Sequence, residues 1–540
     1  MTGNRVSSEH RFLPGWPSWP AWLVAFLMLA PLAMLAVGGP QSAGTVFAAP
    51  ATAIATSGEP AFAWRSLAAS VAVSSAAACM AVVLGGLVAA ALELTDLPGR
   101  SLWATAMLIS FASPSAAWAL AQLYCYGSSG LIDRWLGDRC RPWLAWVDTG
   151  HYASTVLVLG EIYAPLAMLL IGRGLAHLPQ SGWEAARLLL PPGRRWRWVA
   201  GAVRLEALAA WLLAFALGLG NFAVPHVMQC RLFPIEVYLR LTNYLDIAGA
   251  SRSALALLAT AVFAVVVLAF VERRRRYSPA RSESAWQPIE LRWRAWLVVG
   301  ALVGYLTVAT VLPVAAVVAE CRSPAKLLAA ARDAAPETAN TLRAAAGASV
   351  LALLAGAVVG RATARKKNFA LELATLLPVG VPALVLALAY SLFFNRQSAV
   401  DLRAVGNTSA LVVLAWAARA WPFTARAMIS GEGRISPEWH EAAWLAGIRR
   451  WRRTWWISGP LLANPALAAA LIAYVLSVGD VEISQLLCAP GQGTLALRLF
   501  TFMHFGPVHV AASLALLQLA VAVLPLVAYL LFTNRCLQVV

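Results

Sequence analysis

The chain has 540 residues and a formal net charge of +17, with 60% hydrophobic and only 12% charged residues and a mean hydropathy of +0.69. Soluble domains carry roughly 25% charged residues, so this composition excludes an ordinary soluble enzyme and points to an all-α polytopic membrane protein. The basic excess lies in short connections between apolar runs, where it sets topology, and this excludes a nucleic-acid partner.

A bilayer-crossing helix needs ~20 mainly apolar residues. Twelve runs qualify, at 21–38, 66–94, 102–126, 152–175, 201–222, 251–271, 295–319, 341–361, 371–394, 408–429, 458–479 and 509–532. The first follows Arg5 and Arg11, is long and is followed by further spans, so it is read as a retained helix and not as a cleaved leader. The connections after even-numbered runs concentrate Arg and Lys, as in "ERRRRYSPARSESAWQPIELRWR" and "RATARKKN". The others mix Arg with Asp and Glu, as in "DRWLGDRCRPWLAWVD". This bias places both termini in the cytoplasm, as expected of a chain in the inner (plasma) membrane. No CxxC pair occurs among the cysteines, which argues against a metal or redox framework. Cys125 and Cys140 could pair if both lie outside, the compartment in which bridges form.

The charged, Ser- and Pro-containing run at 272–294 divides the chain, with six apolar runs on each side. The expected organisation is a first half at 1–275, a linker at 276–294 and a second half at 295–540. The halves match internally. Pro165 precedes Glu184 by 19 residues, and Pro422 precedes Glu441 by the same 19. Glu-Ala-Ala stands in both copies, and Arg-Arg-Trp follows at 194–196 and 449–451. Six spans per half return the chain to the same side, so the repeat is parallel.

The duplicated loops, near 181–198 and 436–456, read as short helices lying between spans. In the second, Ser436 suits an N-cap, Pro437 the first position and Glu438 the positive helix end. Trp439, Ala442, Ala443 and Ala446 share one face, and Gly447 supplies the stop. In the first, Ser181 and Glu184 have capping-box spacing, and Pro191, Pro192 and Gly193 end the helix. Helices this short need a partner surface. The Arg- and Trp-rich tails behind them suit the headgroup layer of the lipid bilayer.

The stretch "EAAWLAGIRRWRRTWWISGPLL" resembles the cytoplasmic EAA loop of binding-protein-dependent ABC-transporter permeases. Glu441, Ala442, Ala443, Gly447 and Pro460 carry the likeness. The first copy keeps Glu184, Ala185 and Ala186, but Leu190 replaces the glycine, which is displaced to Gly193, and Arg204-Leu205 stands near the Leu-Pro position. The resemblance covers most of the chain. It is similar to the fused ferric-iron and thiamine-type permeases, to which "LTDLPGR", "GSSGLIDRWLG" and "CAPGQGTLALRLFTFMHFG" add softer likeness. It implies a permease in which each EAA helix docks on one of two separate ATPase subunits. It also implies an external solute-binding protein, import, and ferric iron as the first substrate class.

The rest of the sequence is compatible with that implication. The phosphate-cradling GxxxxGK[ST] needs Lys before Ser or Thr. Lys326, Lys366 and Lys367 precede Leu, Lys and Asn. No catalytic residue, cofactor or metal site is expected, since the seven histidines form no HExxH and no close ligand group in sequence. Glu161 stands inside the fourth run, either lining a pathway or bonding between helices. Asn221, Asp480 and Glu482 sit at the outer ends of the fifth and eleventh runs, where they line the outer gate, receive the binding protein or stand in a solvated loop. A secondary transporter, also often two parallel six-span halves, is the rival reading. It requires coupling carboxylates in mid-membrane, for which Glu161 is the candidate.

Overall fold

The structure, a computed structural model, describes residues 19–37, 60–137, 150–276, 288–365, 369–395, 403–406 and 408–533. Among these residues the chain is helical with no strand; the sole ladder contact is an isolated bridge between Thr95 and Ile289. Helices satisfy their own N–H and C=O groups, which an apolar solvent demands. Seven described helices are long and apolar enough to cross a membrane: Trp64–Leu94, Tyr152–Leu175, Ile247–Arg274, Arg292–Glu320, Ala335–Thr363, Thr454–Val478 and Val508–Leu531. Bent pairs raise the number to as many as 10, against the twelve runs read from hydropathy.

The differences have local causes. The run at 102–126 is two helices, Arg100–Ala112 and Ser115–Tyr126, within a pair bent by 101°. The run at 371–394 is likewise broken, by 103°, before Ala383–Phe394. At each break the residue before proline is extended, Ser113 with ψ 133 and Val381 with ψ 115. The proline ring disfavours the helical conformation there. The run at 201–222 is the helix Arg204–Leu219, set at 60° to the one before it. The helix Ser409–Glu432 occupies the tenth run but carries Arg419, Arg426 and Glu432. Its fully buried Trp416 and Trp421 show that protein, not lipid, surrounds much of it.

Small residues let the helices approach closely. The long helix Pro60–Leu94 packs on Tyr152–Leu175, and Ala335–Arg365 packs on Ser409–Glu432. A Cβ on Gly85 would stand 2.3 Å from Ala164 O, and one on Gly356 would stand 2.6 Å from Thr424 Oγ1. The largest buried cluster takes Trp118, Phe215 and Leu257 from the N-terminal part and Leu384, Trp416 and Leu514 from the C-terminal part. Two crossings lock these parts together. A Cβ on Gly220 would lie 3.1 Å from the Pro382 Cα, and one on Gly479 would lie 3.2 Å from the Pro114 Cα. The ends of Arg204–Leu219 and Gly459–Val478 thus press on the two proline bends.

Within the expected linker, residues 277–287 lie outside the described residues. Its far end is fastened: Ile289 N donates to Leu94 O at 2.8 Å, and Leu291 N donates to Asp96 Oδ1 at 2.8 Å. Cys125 is a buried free thiol beside Leu131 and Ala316, while Cys140 lies outside the described residues.

Candidate functional site

Each duplicated loop forms a short helix with one face seated and one face open. The second is Pro437–Leu445, with Pro437 in its first turn. It ends as the glycine requires. Gly447 adopts φ +72, Ile448 N donates to Ala443 O at 3.0 Å, and Gly447 N donates to Trp444 O at 2.9 Å. This paired closure satisfies carbonyls the helix would leave orphaned, and only a residue without Cβ takes that φ at no cost. The Ser436 hydroxyl makes no capping bond, so that expected N-cap is absent. The seated residues are His440 and Ala443, three apart, and Arg453 Nη1 donates to His440 O at 3.2 Å. Of the small-residue face read from sequence, only Ala443 is buried; Trp439, Ala442 and Ala446 are open.

The first loop forms Gln180–Leu189. Pro179 is its N-cap, so Ser181 stands inside the helix and the expected capping box does not form; Gln180 Nε2 donates to Glu184 Oε1 at 3.1 Å. The helix stops at Leu190, held extended by Pro191. Arg195 caps it from behind, donating from Nε to Leu190 O and from Nη2 to Arg187 O, both at 2.9 Å. Gly193 lies inside the next helix, Pro192–Ala202, and does not terminate this one. The burial pattern repeats that of the second loop. Trp183 and Ala186 are seated, while Glu184, Ala185, Leu188 and Leu189 are exposed. In both copies the residue before Glu and the second Ala face the body of the protein. Leu188 and Leu445, each four residues after its Glu, are 86% and 78% exposed.

At the far ends of Arg204–Leu219 and Gly459–Val478 lies a buried polar cluster. Asn221 and Asp480 play the same local part: Asn221 Oδ1 accepts from Val224 N at 2.9 Å, and Asp480 Oδ1 accepts from Ile483 N at 2.7 Å. Each starts a short helix, Ala223–Val227 and Glu482–Leu487. Arg419 pairs with Asp480 and lies 3.9 Å from Glu482 Oε2. Glu482 Oε1 accepts from Phe222 N at 3.1 Å, and Asn221 Nδ2 donates to Tyr163 Oη at 3.4 Å. The solvated-loop reading of Asp480 and Glu482 is therefore corrected, since they are 1% and 3% exposed. Two carboxylates leave water here because a guanidinium and backbone N–H groups replace it.

Glu161 belongs to a separate place. Gln122 Nε2 donates to Glu161 Oε2 at 2.6 Å and to Ala309 O at 3.2 Å. The segment Thr307–Val311 is a π turn, and its irregular ladder offers Ala309 O and Val308 O as acceptors, the latter from Tyr126 Oη. Among the described residues, Tyr305 Oη and Thr310 Oγ1 are buried without a hydrogen-bond partner, while the Trp118 indole faces the Glu161 carboxylate. The structure thus brings Asn221, Asp480 and Glu482 together, adds Arg419, which sequence reasoning missed, and sets Glu161 apart. Arg419 carried no signal in sequence beyond being a cation inside an apolar run.

No protein-family model matches the chain, and no curated protein matches it.

Proposed function

We propose that this chain is the membrane-spanning permease subunit of an ATP-driven importer, built from two parallel halves at 1–275 and 295–540. The observation that carries the reading is the duplicated helix with a seated His440/Ala443 or Trp183/Ala186 pair and an open apolar face. Such faces suit docking on a partner, and their duplication suits a pair of ATPase subunits, since the sequence holds no GxxxxGK[ST] of its own. The matched turns at Asn221 and Asp480 and the matched crossings at Gly220 and Gly479 support the two-half organisation.

In this reading the two docked helices move together when the ATPases close. Arg361 ties the second loop to the bundle, pairing with Glu432 at 2.9 Å and donating to Thr454 Oγ1 at 3.1 Å. Arg426 pairs with Glu272 across the two parts. Motion at the loops then reaches the Arg419–Asp480–Glu482 cluster, which holds the halves at the opposite end. An external solute-binding protein delivers the solute at that end, and ferric iron is the class that the family resemblance implies. The chain performs no chemistry; ATP binding shifts its population between inward and outward openings.

The test is isolation of the chain with its co-purifying subunits and an ATPase assay, followed by uptake. Gly447→Asp and Glu441→Lys are expected to abolish ATP-driven uptake while membrane insertion is unchanged. Unchanged uptake in both variants refutes the coupling role. Glu161, buried among membrane-depth helices, favours the secondary-transporter reading. Uptake driven by an ion gradient without any ATPase would establish that reading in place of ours.

A further inference from the structure

Neither coupling nor the ion cluster uses a pair of imidazoles at the exposed edge beside Phe222. His226, in the short helix Ala223–Val227, and His504, in the last turn of Leu495–Phe505, come from segments 278 residues apart, and their Nε2 atoms lie 3.0 Å from each other. His504 Nδ1 is 2.8 Å from Phe500 O. A carbonyl only accepts, so Nδ1 carries the proton of the neutral ring and Nε2 turns a lone pair toward His226. Anchoring of the second ring nitrogen by a backbone carbonyl is how metal-binding histidines fix their tautomer and aim.

The rings are held from several sides. His226 stacks on Phe222 at 4.8 Å and on Phe500 at 4.9 Å, and Tyr238 meets it edge-on at 6.2 Å. Burial and the neighbouring His504 pull the His226 imidazole down to about 4, so it is neutral around pH 7. With metal–nitrogen distances of about 2.0–2.1 Å, a nitrogen separation of 3.0 Å corresponds to an angle of about 94° at a shared ion. Lone pairs converging on a shared ion bring the ring centres closer together than a head-on pair of rings would stand. The centroids are 4.9 Å apart. A near-right angle is the cis geometry of octahedral and tetragonal ions, and imidazole is a good ligand for them. Among the described residues no group of three or more His, Cys, Asp or Glu surrounds the pair, so an ion bound here would take its remaining ligands from solvent at this exposed edge.

We propose that His226 and His504 form a two-imidazole site for a divalent first-row transition metal, of the nickel, copper or ferrous type, which clamps Ala223–Val227 to Leu495–Phe505. The site stands independently of the transport reading, because its test needs neither ATPase nor substrate. The full chain is purified in detergent, stripped with chelator, and titrated with Ni2+ alongside His226→Asn and His504→Gln. The wild-type chain is expected to bind one equivalent that each variant binds at least tenfold more weakly. Ni2+ is expected to raise the thermal midpoint of the wild type and of neither variant. Cu2+ bound to the wild type should show coupling to two nitrogens in its paramagnetic resonance spectrum, a readout that requires no variant to fold. Identical titrations in all three proteins would place the metal elsewhere and overturn the site. Absence of binding below about 1 mM Ni2+, or a copper spectrum lacking two nitrogens, would overturn it in favour of a plain hydrogen bond between the rings.

Discussion

Arg419 is the counter-ion of the buried carboxylates Asp480 and Glu482. It faces Asp480, whose side chain is fully buried, and it is the cation nearest Glu482 in the cluster. Removing one partner of a buried pair typically costs about 3–5 kcal/mol, because the remaining charge has lost both water and its counter-ion. The Arg419 side chain is 26% exposed, which puts Arg419→Ala at the lower end, about 3 kcal/mol. The expected result is a large drop in thermal midpoint in detergent, much of it recovered when Asp480→Ala is added. A single variant as stable as the wild type would mean that the pair holds nothing together. Gly447 sets a different kind of limit. At φ +72, Gly447→Ala costs about 1 kcal/mol through its Cβ, whereas Gly447→Asn is milder. Hydrogen exchange of the Pro437–Leu445 amides reads this fraying directly: Ala should speed exchange more than Asn, and equal rates would show that the turn does not depend on glycine.

At the scale of elements, what the sequence discloses depends on how far apart the partners lie. The helix Pro437–Leu445 was legible because Pro437, Glu438 and Gly447 act within a few residues of one another. The bends were half legible. Ser113-Pro114 and Val381-Pro382 are visible breakers, but a hydropathy window averages over them and returns one straight span. The first loop misled for a similar reason: Ser181 and Glu184 have capping spacing, yet Pro179 starts the helix earlier. The two interlocks were not legible, because they join Gly220 to Pro382 and Gly479 to Pro114 across more than a hundred residues. So too with Arg419 and Asp480, and with the two histidines, whose proximity only tertiary packing creates. The interlocks make a paired prediction. Gly220→Val and Gly479→Val each drive a side chain into proline backbone, where no flexible neighbour gives way, and overpacking of this kind costs about 1–3 kcal/mol. Both should lower the midpoint by similar amounts if the crossings are equivalent. A loss confined to one would show that one end of the interface carries the contact.

Across the whole molecule, charge and apolar surface are segregated by purpose. Exposed Trp455 and Trp456 follow the helix Pro437–Leu445, where basic and indole side chains suit a headgroup layer. The exposed Leu188 and Leu445 stand on the open faces of the short helices Gln180–Leu189 and Pro437–Leu445. Under the proposed function the two faces act as a bivalent ligand, because the first contact holds the second near its site at high effective concentration. Weakening one point therefore costs far more than half of the retained complex, and weakening both removes it. Leu188→Asp and Leu445→Asp each place a charge where burial against a partner is proposed, without touching the seated Trp183, Ala186, His440 or Ala443. Each is expected to reduce co-purification of the ATPase at least tenfold, and the double variant to abolish it, with insertion and thermal midpoint unchanged. Loss in one single variant alone would reveal asymmetric docking, with the tighter loop carrying the assembly. Equal retention in all three variants would refute docking at these faces, since a buried aspartate in a formed interface does not go unnoticed.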